Sequence, residues 1–164
     1  MRGRRVRAGR AHGGPRRARA LGATPLALDA GEPVAAVLEA TGGRGADAVL
    51  EAVGSPAAAR LAFDLVRPGG TVAAVGVHHE ATFPFSPGEA YAKNLTLRIG
   101  RCPARHYMDR LRPLAERRAE DLAALFTHRV ALEDGPPAYS LFDQKRDGCI
   151  KVALLTSNPP RRYA

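Results

Sequence analysis

The sequence has little of several features on which particular classes of protein depend. Its two cysteines, Cys102 and Cys149, are too few for a disulfide framework or a structural zinc cluster. No apolar run approaches the roughly 20 residues of a membrane helix. The charged first residues are not followed by the apolar stretch of a secretory signal. Together these absences predict a protein of the reducing cytoplasm without a membrane span.

Acidic residues are missing from the first 20 positions, which hold eight arginines. The rest of the chain carries 17 basic and 16 acidic residues, so the net charge of +9 belongs mainly to this segment. Val6 is its one large aliphatic residue, and such a segment cannot bury enough surface to offset its ordering entropy. We therefore predict a disordered Arg-rich arm over residues 1–20, apart from a short helix through Arg16–Leu21. The arm lacks the interleaved aromatics that stack on single-stranded nucleic acid, which disfavours a nucleic-acid binder.

From residue 21 onward, short apolar runs alternate with helical patterns. This alternation is typical of a parallel α/β sheet, and it predicts one α/β domain over residues 21–155 followed by a polar tail over 156–164. The Pro- and Phe-rich segment 78–93 is predicted to be a loop. The predicted strands are Thr24–Asp29, Ala46–Val53, Thr71–Val77, Asn94–Gly100 and Ile150–Leu155, and the predicted helices are Glu32–Thr41, Pro56–Val66, Arg105–Arg118, Ala119–Thr127 and Pro137–Gln144.

A dinucleotide-binding glycine fingerprint is missing. The one partial match, G-x-G-x-x-A from Gly43 to Ala48, lies between a predicted helix and a predicted strand. A phosphate cradle needs the reverse order of strand, turn and helix. We interpret this segment as a turn.

Candidate metal ligands are few and poorly spaced. His78 and His79 follow a strand end, but adjacent side chains on an extended backbone point in opposite directions. Cys102 and His106 have helical spacing, but Pro103 lies between them. We therefore predict no metal ligand in this sequence, and we interpret the histidine pair as part of a solvated loop.

Two glycines stand where neighbouring predicted strands end, in the segments Val53–Ser55 and Val75–Val77. Ligands of open α/β sheets bind against the carboxyl ends of the strands. A glycine there allows a flat ring or a ribose to approach the backbone. Each glycine alone could equally belong to a simple turn, but the two together favour a nucleotide crevice.

Several segments resemble the medium-chain, zinc-type alcohol dehydrogenases, over about residues 16–155. The most specific are GADAVLEAVG, RPGGTVAAVGV and DGCIKVAL. The resemblance implies the later half of a Rossmann domain that lacks its first two strands, with a short C-terminal strand returning from the family's catalytic domain. The implied parent activity is NAD- or NADP-dependent oxidoreduction of an alcohol or aldehyde. The family also uses zinc, but its ligands have no counterpart in this sequence.

The resemblance also implies a set of cofactor-binding residues. Val53, Gly54 and Ser55 would lie near the adenosine, and Val75, Gly76 and Val77 would line the nicotinamide. Ile99 would close over the nicotinamide amide, and Lys151 would reach the pyrophosphate. For that last residue the alternative is a solvated lysine at a strand edge. The strand edge Lys93–Arg101 would form a homodimer interface.

The missing fingerprint and zinc domain lead us to expect a truncated homologue that is inactive alone and binds nicotinamide cofactor weakly. A shortened reading frame or a gene model begun too late would account for it. We expect a core sheet with Ala46–Val53, Thr71–Val77 and Asn94–Gly100 in that order, and Thr24–Asp29 displaced or inserted beside the first. The alternative functions are a non-catalytic partner subunit and, more weakly supported, a basic-armed nucleic-acid binder.

Overall fold

Short parallel strands, most of them followed by a helix, make up this chain. The structure is a computed structural model that describes residues 5–9, 14–28 and 31–156. These residues form two compact units, the first drawn from residues 1–10 and 22–103 and the second from residues 11–21 and 104–164. The strands are β1 (Arg5–Gly9), β2 (Ala23–Ala27), β3 (Ala46–Glu51), β4 (Val66–Ala74), β5 (Thr96–Ile99), β6 (His128–Ala131) and β7 (Val152–Leu155), and the α-helices are α1 (Gly14–Ala20), α2 (Pro33–Ala40), α3 (Pro56–Leu65), α4 (Pro87–Ala92), α5 (Ala104–Arg117), α6 (Ala119–Ala123) and α7 (Gly135–Asp143).

The first unit is built on a three-stranded parallel sheet with the order β3-β4-β5. Glu51 pairs with Ala74, and Ala74 pairs with Ile99, so the three strands end in register. This order confirms the core sheet expected from the sequence. The predicted strand Thr24–Asp29 corresponds to β2, which pairs with β1 in a separate two-stranded parallel sheet.

Helix α3 supplies most of the core that covers this sheet. It begins at Pro56, whose fixed φ suits a first helical turn, and its Ala59, Ala62 and Phe63 are buried. The helix ends at Leu65, and Val66 already belongs to β4. Val66 and Val72 are both 2% exposed and form the centre of the core with Ala62. Burial of a valine contributes about 1.5–3 kcal/mol, so these contacts hold α3 against the sheet.

The structure differs from the sequence prediction within residues 1–20, which contain β1 and α1 rather than only an unstructured arm. The backbone of β1 forms a parallel ladder with β2, and composition gives no sign of such pairing. In α1, Ala18 is 3% exposed, and the Arg17 guanidinium donates to the carbonyl of Ala124 in the same unit. The predicted short helix Arg16–Leu21 corresponds to α1, whereas β1, which was not predicted, is ordered by its pairing with β2.

Two other elements escaped sequence prediction. Helix α4 lies inside the segment predicted to be a loop, where Ser86 and Glu89 form a reciprocal capping box around Pro87. Such a box satisfies two backbone N–H groups and can begin even a short helix. Strand β6 has four residues and pairs in parallel with β7, which lies more than 20 residues further along. The predicted strand Ile150–Leu155 corresponds to β7, so the second unit also has a parallel sheet.

Strand β4 extends from Val66 to Ala74, earlier at both ends than the predicted Thr71–Val77. The residues Val75–Val77 therefore follow the strand instead of forming its end. No helix in the described ranges is long and apolar enough to cross a bilayer.

Candidate functional site

Exposed aliphatic side chains gather at the carboxyl ends of the three aligned strands. Val53 is 74% exposed, Val75 54%, Val77 63% and Ile99 56%. We call these four residues the strand-end patch. Solitary apolar residues are common on protein surfaces, but several together at one edge of a sheet indicate a surface that another molecule covers. The structure thus brings seven of the eight sequence-predicted cofactor residues to the ends of three neighbouring strands.

Gly54 and Gly76 bring two segments of the chain into backbone contact. A Cβ atom on Gly76 would lie 2.3 Å from the nitrogen of Gly54, and a Cβ on Gly54 would lie 2.3 Å from the carbonyl oxygen of Val77. Gly54 also has a φ of +81°, which favours glycine over every other residue. Glycine is therefore required at both positions by the chain's own packing. The approach of a ligand, which the sequence suggested, is not needed to explain either residue.

Glu51 is buried beneath this contact, with an exposure of 4%. One carboxylate oxygen, Oε1, accepts the N–H groups of Val53 at 2.7 Å and Gly54 at 2.8 Å. Its backbone carbonyl accepts the N–H groups of Val75 at 2.8 Å and Gly76 at 3.1 Å. A single residue at the end of β3 thus binds both segments that carry the strand-end patch.

The second carboxylate oxygen of Glu51, Oε2, lies 2.8 Å from Nε2 of His78. Burial raises the pKa of Glu51. The hydrogen bonds from the amides of Gly54 and Val53 and from the imidazole of His78 lower it by more than burial raises it, so the pKa lies below its ordinary value. The imidazole is itself largely buried, with 11% of its side chain exposed, and its ring lies 5.2 Å from that of Phe83. The interpretation of His78 as part of a solvated loop is therefore wrong, whereas His79 is exposed.

Glu51 was missed by the sequence analysis. Its only local signal is an acidic residue at the end of an otherwise apolar run, in ADAVLEAVG. Because a buried carboxylate needs hydrogen-bond partners, an acidic residue at the end of an apolar strand indicates that its side chain has partners elsewhere in the fold. Its partner His78 lies 27 residues away, and no spacing rule connects the two.

Two of the predicted cofactor residues have other contacts. The hydroxyl of Ser55 accepts the N–H of Ala58 at 3.2 Å and caps α3. Lys151 is exposed and belongs to the second unit. Its carbonyl oxygen accepts the N–H of His128 at 3.3 Å and the hydroxyl of Thr127 at 3.3 Å. The predicted contact of Lys151 with a pyrophosphate remains a prediction.

A charged cluster joins α3 to α4 on the same unit. The guanidinium of Arg60 binds Asp64 at 2.8 Å and Glu89 at 2.8 Å. The backbone N–H of Ser86 and the guanidinium of Arg60 lower the pKa of Glu89 to about 2. These contacts fix the segment between β4 and α4 against the helix that packs on the sheet.

Two cations lie close to the ring of Phe63. Arg60 is 4.8 Å and the Lys93 ammonium 4.4 Å from its centroid, and Phe85 stacks on the ring at 4.7 Å. Burial lowers the pKa of Lys93, whose ammonium donates to the carbonyl of Phe63. The charged groups of this cluster have partners within the cluster, whereas the side chains of the strand-end patch remain exposed.

Metal-binding clusters are not found in the described ranges, where no group of three or more His, Cys, Asp or Glu side chains is arranged to hold an ion. Cys102 is exposed and Cys149 buried. These residues do not fit a zinc centre, so no chemical step is assigned to zinc here.

A family model described as zinc-binding dehydrogenase matches residues 10–117 of this sequence. This range covers more than half of the chain and includes the whole of the β3-β4-β5 sheet. The chain belongs to the zinc-binding dehydrogenase family. The match begins at residue 10, a few residues before the resemblance seen in the sequence, which starts at about residue 16.

Curated relatives and solved structures agree with this assignment. The chain is 37% identical over 131 residues to a Mycobacterium tuberculosis protein named as a probable zinc-binding alcohol dehydrogenase, covering 80% of this chain and 33% of that protein. It is 39% identical over 107 residues to zinc-type alcohol dehydrogenase B of Aspergillus flavus, covering 65% of this chain and 25% of that protein. An alcohol dehydrogenase structure from a Thermus species superposes with a TM-score of 0.83 at 37% identity, covering 93% of this chain and 45% of that one. The chain thus spans about a quarter to a third of the length of these curated relatives.

Proposed function

We propose that this chain forms one wall of the nicotinamide cofactor site of an alcohol or aldehyde oxidoreductase. The observation that carries the proposal is the strand-end patch, which lies where three parallel strands end in register. Ligands of open α/β sheets bind at this edge, and a pocket for an organic cofactor is lined mostly by apolar groups. Family membership and similarity to alcohol dehydrogenases support the same assignment.

The patch divides into roles that follow the family resemblance. Val75 and Val77 would pack against the nicotinamide with the backbone of Gly76 between them, and Ile99 would cover its amide. Val53 and the backbone of Gly54 would lie against the adenosine side. Ser55 would contribute by capping α3, since its hydroxyl already accepts the N–H of Ala58. The bound nicotinamide supplies the hydride chemistry, while these residues orient it and exclude water from its faces.

For Lys151, the family resemblance alone supports a contact with a cofactor's pyrophosphate. A lysine ammonium is a flexible point charge, and it binds phosphate groups without demanding one geometry. The binding experiment below compares the two reduced cofactors, NADH and NADPH.

Cofactor affinity of the purified chain tests the proposal. We expect NADH or NADPH to bind weakly, with a dissociation constant above the micromolar range, measured by calorimetry and by nucleotide fluorescence. Val77→Asp should abolish this binding, because it places a carboxylate where the nicotinamide packs. Leu132→Asp is the matched control, since Leu132 is 50% exposed in the second unit. Equal affinity of the two variants would count against the assigned site.

Turnover by the purified chain is the second measurement. The chain spans a quarter to a third of the length of its curated relatives, and we propose that it reduces or oxidises little substrate by itself. An assay with both cofactors, added zinc and a panel of alcohols and aldehydes checks this. Robust turnover would overturn the claim of low activity while leaving the cofactor site intact.

A dimer through the edge of β5 is a further part of the proposal. Among the described strands, β5 ends the sheet, and all four of its residues are exposed. An exposed edge strand readily pairs with another chain, so the segment Lys93–Arg101 would join two copies. Sedimentation velocity over a concentration series should show a dimer that Leu97→Lys weakens. A monomer at all concentrations would refute this interface.

A further inference from the structure

The strand-end segments depend on one buried pair, Glu51 and His78, for their position. The side chain of Glu51 is 2% exposed, and its Oε2 atom lies 2.8 Å from Nε2 of His78. Burying an ionised carboxylate is costly unless it is fully hydrogen-bonded. Here both oxygens have partners, because Oε1 accepts from Val53 and Gly54 and Oε2 lies against His78. A hydrophobic residue could fill the same volume, so the charge calls for an explanation.

The contacts of Glu51 show what the charge does. Its carboxylate holds the amides of residues 53 and 54, and its backbone carbonyl holds those of residues 75 and 76. Its Oε2 atom would also lie 2.8 Å from a Cβ on Gly76, so the carboxylate lies directly under the Gly54–Gly76 contact. His78 completes the arrangement from the far end of the same segment.

We propose that Glu51 and His78 are positioning residues of the cofactor site, and that the pair holds the backbone at residues 53–54 and 75–76 in the arrangement that presents the strand-end patch. This inference rests on the proposed function. The pair touches neither cofactor nor substrate, because Glu51 is covered by the two segments that it binds. It acts by removing motion from the surface against which the nicotinamide packs, and a preorganised surface loses less entropy on binding.

The hydrogen bonds of Glu51 also determine which nitrogen of His78 carries a proton. Oε2 of an ionised Glu51 can only accept, so Nε2 of His78 must carry a hydrogen in the native arrangement. Both the neutral Nε2–H tautomer and the imidazolium satisfy this condition. The wild-type pair therefore keeps this hydrogen bond in either protonation state of the imidazole.

Glu51→Gln changes that tolerance in a specific way. A glutamine at this position can turn its oxygen toward the amides of Val53 and Gly54 and its NH₂ toward Nε2 of His78. The arrangement is satisfied only while Nε2 accepts, which requires the neutral Nδ1–H tautomer. In an imidazolium, Nε2–H of His78 and the glutamine NH₂ would both be donors and could not form a hydrogen bond with each other. The titratable group that faces the imidazole is Glu51, and Glu80, two residues along the chain, accepts instead from the backbone N–H of His79.

Amide hydrogen exchange of the unliganded full-length chain tests the pair directly. Rates are expressed as protection factors at pH 8 and pH 5.5, so that the intrinsic pH dependence of exchange cancels. Glu51→Ala should lower protection at residues 53–54 and 75–76 by roughly 5- to 100-fold at both pH values, as expected for an unsatisfied buried group. Glu51→Gln should remain within about threefold of wild type at pH 8, because its oxygen and its NH₂ can replace both contacts of the carboxylate. Glu80→Gln, which removes the same charge from an exposed residue of the same loop, should match wild type throughout.

Cofactor affinity provides the functional readout. NADH and NADPH should bind Glu51→Ala more weakly than wild type at pH 8, whereas Glu51→Gln and Glu80→Gln should follow wild type. Unchanged protection in Glu51→Ala, or an equal loss in Glu80→Gln, would overturn the positioning role. Lowered protection without weaker binding would overturn its connection to the cofactor. If wild type binds neither nucleotide, the proposed function fails together with that connection, and the exchange data alone decide whether the pair holds the two segments.

Discussion

Gly54 and Gly76 touch backbone to backbone where β3 and β4 end, and a Cβ atom on Gly76 would lie 2.3 Å from the nitrogen of Gly54. Real Cβ atoms do not approach a backbone nitrogen so closely, so a side chain at either position must push the two segments apart. The atoms in the way belong to the backbone and cannot move aside as a flexible side chain could. The spacing of the strand-end patch therefore depends on these two glycines.

Gly76→Ala should lower the free energy of unfolding by about 1–3 kcal/mol, the usual cost of overpacking a close-packed site. Gly88→Ala in α4 is the matched control, because its nearest neighbour would be the Ser86 hydroxyl at 3.7 Å. We expect that control to be neutral or to stabilise by up to about 1 kcal/mol through helix propensity. Urea unfolding followed by circular dichroism measures both, and equal stability of the two variants would contradict the packing described here.

Glu51 should make the stability of the chain depend on pH in the acid range. Its pKa is lowered in the folded chain, so its contribution is fully present above the ordinary glutamate pKa of about 4.3 and is lost as the pH falls toward the folded value. The free energy of unfolding of Glu51→Gln should fall less steeply than that of wild type as the pH falls through this interval. Glu80→Gln should keep the wild-type slope. Unfolding free energies measured at several pH values below about 4.3 check the difference.

Ser55→Ala should cost about 1 kcal/mol of stability, because it removes the oxygen that caps α3. Ser140→Ala is the comparison, since the Ser140 hydroxyl lies within α7 and reaches only the carbonyl of Pro136 at 3.5 Å. Thermal unfolding of both variants distinguishes a cap from an ordinary helical serine. A Ser55→Ala variant as stable as wild type would show that the cap contributes nothing.

Glu89 should titrate at a pKa of about 2, because the Ser86 backbone N–H and the Arg60 guanidinium stabilise its ionised form. Arg60→Met should raise this pKa toward the ordinary value of about 4.3 without reaching it, since the Ser86 contact remains. The carboxyl carbon resonance of Glu89, followed by NMR against pH, measures the shift. Arg67→Met should leave the titration of Glu89 unchanged, because Arg67 binds Asp47 instead. An equal shift in both variants would assign the effect to overall charge.

Local patterns in the sequence predicted a large part of the fold. The helix predicted at Glu32–Thr41 is α2, and the one predicted at Pro56–Val66 is α3, within one residue at each end. Proline at a first helical turn and glycine after the last are visible in the sequence, as are the apolar runs of β3 and β4. The family resemblance, drawn from segments such as GADAVLEAVG, is confirmed by the family model and by the alcohol dehydrogenase relatives.

What the sequence by itself determined is the α/β alternation, most element boundaries and the family, because each depends on residues that are close together in the chain. Only the tertiary structure decided that β1 pairs with β2, that β6 pairs with β7, and that Glu51 meets His78. Those partners are far apart in sequence, and a hydrogen bond between them forms only after packing has removed water from both groups. The same holds for Gly54 and Gly76, whose spacing along the chain gives no sign that Gly54 occupies the space of a Gly76 side chain and Val77 the space of a Gly54 side chain.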